Sequence, residues 1–280
     1  MGMNRACIGK TYPENELEIT AKDSVFYASA YNDDNPWFLH ENRPGGIVCP
    51  PMFGVVYGGM SVAAPLFDKE LEMNVAVMVH GEQEMTWYDI VKPGDKIKSR
   101  AKIADIVDIG KHEICYITVE CTNQAGKKVL DSTYGFLVRG GGSGGKAPAR
   151  PEHTRKEELF KAEMDVTADQ TYRYAFASGD HNPIHVNPDF ATKVGLPGII
   201  LQGLCSMAFT SKAILDNYLE GDPTRLKKLS VRFSAPVLPK DHLVTTCWMS
   251  EKGADKTTLC FETAKQDGSL VIKNGVAEVV

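Results

Sequence analysis

A chain of 280 residues, 43% of them hydrophobic, holds enough apolar material for one large core or two ordinary ones, which excludes a disordered or fibrous protein. Its net charge of -5 is spread over intermixed acids and bases, without the basic stripe of a nucleic-acid binder or a membrane-surface protein. No run of about eighteen apolar residues exists and the opening "MGMNRACIGKTYPENELEIT" has no apolar signal region, so no membrane insertion is expected and the cytosol is the simplest location.

In chain order, the first recognisable stretch is "FYASAYNDDNPWF", Phe26 to Phe38, followed by "IVCPPM", Ile47 to Met52. The region "MFGVVYGGMSVAAPLF" has apolar content for a helix, but Gly54, Gly58, Gly59 and Pro65 weaken it. Four β-rich segments then follow: Glu84 to Tyr88, Lys96 to Val107, His112 to Asn123 and Lys127 to Val138. "RGGGSGGKAPARPEHT", Arg139 to Thr154, is rich in glycine and proline, so neither helix nor strand is expected there and it reads as a flexible linker.

Beyond the linker the same order of signals returns, shifted by roughly 145 to 152 positions, the trace of an internal duplication. "YRYAFASGDHNPIH" (Tyr172 to His185) answers the Phe26 stretch, "IILQGL" (Ile199 to Leu204) answers "IVCPPM", and "VLPKDHL" answers "VKPGDKI". A helix is predicted from Gly203 to Leu219, with apolar residues at i, i+3, i+4 spacing and Gly221 as a stop. "LSVRFSAPV" then alternates with period two, and His242 to Ser250, Thr257 to Ala264 and Ser269 to Val280 are also β-rich. Each half therefore offers one helix and an antiparallel sheet, an α+β architecture. The expected boundaries are a degenerate first half at 1–139, a linker at 140–154 and a catalytic second half at 155–280.

"SGDHNPIH", Ser178 to His185, concentrates the titratable chemistry. Pro183 fixes its own φ and biases Asn182 away from helix, so Asp180 and His185 meet across a bend rather than on one helical face. A carboxylate and an imidazole sharing one water can take and return protons at neutral pH. The competing reading is that Asp180 caps a turn and His185 is a satisfied core histidine. Gly203 either permits a tight strand-to-helix turn or offers its amide, at a helix N-terminus, to a developing negative charge. Arg232 lies on the polar side of its strand, either solvated or reaching a phosphate. The seven cysteines are scattered without metal-ligand spacing and read as buried thiols in a reducing compartment, with Cys205 the best-placed nucleophile if one exists.

The run "YAFASGDHNPIHVNPDFATKVGLPGIILQGLCSMAF" resembles the MaoC-like (R)-specific enoyl-CoA hydratase family, and the duplication extends the likeness to a double hot-dog protein. The resemblance implies syn addition of water to a trans-2-enoyl thioester, or the reverse dehydration. Asp180 and His185 would act jointly as the acid-base pair, Asn182 would support them, and the Gly203 amide would hold the thioester oxygen. The family has His where this chain has Gln202, which leaves that side chain as a candidate substrate contact along with Arg232. No metal or redox cofactor is implied; CoA or acyl carrier protein serves as the handle, and homodimerisation stays open. The same fold also hosts thioesterases and non-catalytic acyl-thioester binders. In the first half Asp33 and Asn35 match Asp180 and Asn182, but Phe38 replaces His185 and Pro51, with no N–H, replaces Gly203, so one active site per chain is expected. That half then serves as scaffold, or its broken helix makes room for an acyl tail.

Overall fold

A computed structural model describes residues 2–150 and 152–280. Among the described residues, ten strands form one sheet: β1 (Asn15–Glu18), β2 (Met78–Trp87), β3 (Lys96–Asp108), β4 (His112–Thr122), β5 (Lys128–Gly141), β6 (Glu158–Asp165), β7 (Leu226–Phe233), β8 (His242–Lys252), β9 (Thr257–Lys265) and β10 (Leu270–Val279). Their spatial order is β1-β3-β4-β5-β2-β7-β10-β9-β8-β6, so the second half repeats the first in reverse about the β2·β7 seam. There the antiparallel pairs run from Glu82↔Arg232 to Thr86↔Lys228. This register is two-fold symmetric and makes Trp87 the counterpart of Phe233.

Period-two alternation gives the sheet one face for the helices. In β3, for example, Ile97, Ser99, Ala101 and Ile103 are buried while Lys96, Lys98, Arg100 and Lys102 are exposed. On that inner face lie α1 (Ala21–Ala30), α2 (Pro36–Leu39), α3 (Gly54–Gly59), α4 (Ala63–Leu66), α5 (Gln170–Ser178), α6 (Pro183–Val186), α7 (Pro188–Lys193) and α8 (Gly203–Tyr218). The predicted helix at Gly203 forms and ends one residue early, at Tyr218. Its counterpart in the first half is split into α3, α4 and short 3-10 turns, as the glycines and Pro65 there require. Near the axis, α1 and α5 bring Tyr27 and Tyr174 together, both fully buried, with their hydroxyls 2.8 Å apart.

The linker differs from the sequence expectation. β5 continues through Arg139 and Gly140 to Gly141, which pairs with His112, so strand pairing outweighs the poor strand propensity of glycine. Gly140 and Gly141 reach this end with φ of 84° and 79°, a conformation that side chains rarely adopt. Further on, the linker is tied down. Arg150 ion-pairs with Glu82, Arg155 ion-pairs with Glu262 at 3.3 Å and lies over the Trp248 ring, and Lys156 donates to the Ser250 carbonyl. Pro151 lies outside the described residues.

Candidate active site

Ordinary capping rules deliver the acid and the histidine. Ser178 ends α5 and Gly179 follows in the left-handed region, φ 79°, with its N–H returning to the Ala175 carbonyl. That reversal throws Asp180 off the helix end. Asp180 Oδ1 then accepts from the Asn182 amide at 3.2 Å, an Asx turn. Asn182, extended as expected before a proline, caps α6 by accepting from the Ile184 amide, and Pro183 occupies the first helical position. His185 thus sits on a single helical turn, 7% exposed. Asn182 shapes the site from its backbone outward.

The tautomer of His185 follows from its partner. Nδ1 lies 2.7 Å from the Ile200 carbonyl oxygen, which can only accept, so Nδ1 carries the proton and Nε2 presents a lone pair. Nε2 faces Asp180 Oδ2 at 3.7 Å, too far for a direct hydrogen bond but close enough for one water beside the pair to contact both. Ile200 also donates its N–H to the Ile184 carbonyl, which anchors the segment leading to α8 beside the histidine turn. Three residues later Gly203 opens α8, and among the described residues its amide donates to no protein acceptor. A Cβ at Gly203 would come within 3.2 Å of the Phe233 ring, so that ring lies directly against the glycine.

Two sequence assignments need correction. Gln202 is not a substrate contact: it is 1% exposed, and its Nε2 donates to the carbonyls of Thr171 at 3.0 Å and Asp180 at 3.4 Å. It holds the Asp180 loop onto the start of α5. Arg232 is not at the site either. Leu229 and Val231 are buried on the inner face and Phe233 reaches Gly203, so Arg232 points to the opposite face, where it lines a cleft of about 380 Å³ with Glu82, Tyr116 and Arg150. Cys205 is fully buried at the start of α8, and burial pushes its thiol well above the usual range, which removes it as a nucleophile.

The pseudo-equivalent place in the first half is closed. Asp33 is 3% exposed, Phe38 is fully buried, and Trp87 donates its indole N–H to the Pro51 carbonyl at 2.9 Å. Lys212 of α8 lies against Asp33 and ion-pairs with Asp34 at 2.6 Å and Asp216 at 2.8 Å. One residue escaped sequence reading. His80 of β2 is half-buried, stacks with Tyr134 and meets the Phe233 ring, and burial lowers it to about 4 although Asp180 opposes the shift.

Residues 150–268 match the MaoC like domain family, and residues 6–132 match the FAS1-like, dehydratase domain region. Residues 150–268 therefore carry a MaoC like domain, and the chain takes the double hot-dog fold. It is 28% identical over 273 residues to a probable enoyl-CoA hydratase 2 of Dictyostelium discoideum, covering 94% of this chain and 91% of that protein. Identity to 3-hydroxyacyl-thioester dehydratase Y of Mycobacterium tuberculosis is 27% over 302 residues, covering 100% of this chain and 99% of that one. Among solved structures, a MaoC-like dehydratase from Phytophthora capsici superposes with a TM-score of 0.83 at 24% identity, over 99% of this chain and 98% of the other. The MaoC match contains the Asp180–His185 turn and Gly203, while the first half, which lacks the histidine and the glycine, matches the second family. Among the described residues, no helix is long and apolar enough to cross a membrane.

Proposed function

We propose that this MaoC-like protein is a hydro-lyase that adds water to trans-2-enoyl-CoA to give the (R)-3-hydroxyacyl thioester, and catalyses the reverse dehydration. One observation carries the reading: the bare Nε2 of His185 and the Asp180 carboxylate lie 3.7 Å apart, so that one water beside them can contact both. Attack of that water on C3 moves charge onto the thioester oxygen, where the Gly203 amide at the start of α8 can receive it. The pair takes the proton released by the water and returns one to C2 on the same face, which is syn addition. Asp180 and His185 act as a unit in this scheme. Gln202 and Asn182 hold their loops and touch no reacting atom.

The protein's own groups suffice for every proton transfer in this scheme, so we assign no metal or redox cofactor. CoA is the handle favoured by the relatives' names, and the first half contributes scaffold. The buried free thiols fit a reducing compartment such as the cytosol. The test is direct. Crotonyl-CoA absorbance in the ultraviolet should fall on adding the protein, chiral analysis should return the (R)-alcohol, and no free thiol should appear with a thiol-reactive dye. Unchanged absorbance, or release of CoA thiol, would overturn the assignment.

A further inference from the structure

β2 departs from regular alternation at one place, and that place faces the site. Gln83, Met85 and Trp87 are buried on the inner face, which puts Glu82 and Glu84 on the outer one. Strict alternation would send His80 outward beside Glu82. Instead the register slips: His80 pairs with Phe136 and Glu82 with Gly135, so Gly81 is an extra residue and His80 turns inward. A bulge of this kind re-aims one side chain, and bulges are over-represented beside active sites.

The ring so placed joins the two halves. It stacks with Tyr134 (centroids 5.7 Å, 26°), tilts against Phe136 (5.1 Å, 35°) and meets Phe233 edge-on (5.2 Å, 68°). Tyr134 and Phe136 belong to β5 of the first half, while Phe233 ends β7 of the second and lies against Gly203. His80 Nε2 donates to the Glu82 carbonyl at 3.0 Å, which fixes the ring plane. Burial keeps the imidazole neutral near pH 7, so it adds no cation beside Asp180. On the closed side of the molecule, Trp87 stands where Phe233 stands and is held by its own hydrogen bond to Pro51. Phe233 carries no polar atom and depends on its neighbours for its place.

We propose that His80 is a positioning residue of the hydration site, supplied by the first half, which seats Phe233 against Gly203 and thereby holds the start of α8 in its productive position. This inference rests on the hydration reading above. The test compares kcat, KM and melting temperature for crotonyl-CoA hydration in wild type, His80→Ala, His80→Phe, Phe233→Ala and the His80→Ala/Phe233→Ala double variant. His80→Ala should lower kcat on the order of tenfold to a hundredfold with KM little changed, the scale of a small misplacement of catalytic groups. His80→Phe, which keeps a stacking ring, should recover most of that loss. The double variant should be no slower than Phe233→Ala, because the two residues act through one contact. Unchanged kcat in His80→Ala, a loss as large in His80→Phe, or multiplied losses in the double variant would each overturn the proposal. Should His80→Ala fail to fold, His80→Leu takes its place, filling the volume without a stacking ring. An inactive wild type would instead overturn the hydration reading, and this inference with it.

Discussion

Asp180 and His185 reach each other through three small devices, the left-handed Gly179, the Asx turn at Asp180 and the Asn182 cap before Pro183. Since the two act together on one proton, Asp180→Asn and His185→Ala should each lower turnover about a hundredfold or more, and the double variant should be little worse than either. Rates near wild type in a folded single variant would exclude the pair. Gly203 invites a sharper comparison. Gly203→Ala keeps the amide but presses a methyl group on Phe233, whereas Gly203→Pro removes the amide as well. The difference in kcat between these two variants should approach 2.7–4 kcal/mol of transition-state stabilisation, roughly the value of one oxyanion donor. Pro51→Gly, at the aligned place in the closed half, should leave kcat unchanged, because Phe38 still stands where a histidine is needed.

At the level of elements, α8 crosses both halves of the design. Its first residue serves the open site, and about two and a half turns later Lys212 fills the closed one, 3.8 Å from the buried Asp33 and paired with Asp34 and Asp216. Burial raises Asp33, with Tyr31, Asn35 and Lys212 opposing the shift. Lys212→Met leaves that carboxylate without its cation, so the variant should lose on the order of 3 kcal/mol or more at neutral pH. The sign of the pH effect follows. With the folded-state value raised further above the unfolded one, the folded variant binds the extra proton, so part of its deficit should return as pH falls toward the usual carboxylate range. Urea unfolding of wild type and Lys212→Met between pH 7 and 5 measures this, and a constant difference would mean that Asp33 is not the group left exposed to the loss. Much of this level was legible beforehand. The i, i+3, i+4 run from Gly203 and the alternation of "LSVRFSAPV" are local patterns, and local patterns set both elements. β6 escaped because half of its eight residues are charged and only Phe160, Ala162 and Met164 alternate with them, a short signal at a sheet edge, and His80 escaped because a one-residue bulge at Gly81 inverts the parity on which side-chain direction is read. Arg232 shows the converse: its strand and polar side were readable, but not which face of the sheet bears the chemistry.

For the molecule as a whole, the halves share the β2·β7 pairing, the Tyr27–Tyr174 contact and the His80–Phe233 contact, so neither has a core that closes without the other. Unfolding should therefore be one transition. Trp37 and Trp87 report on the first half and Trp248 on the second; variants keeping only one set should give the same denaturation midpoint, and separated midpoints would show independent halves. The strap from Gly142 to Glu157, pinned by Arg150, Arg155 and Lys156, keeps the two halves in one polypeptide, and this has a consequence for how the protein can change. In a symmetric pair of identical subunits every substitution is made twice, so a residue that sharpens one site is imposed on its twin. Joined in tandem, each half answers for itself. Phe38, Pro51 and Lys212 could arise where they consolidate the fold while His185 and Gly203 remained where they serve catalysis, and a copy relieved of chemistry became free to furnish its neighbour with a histidine.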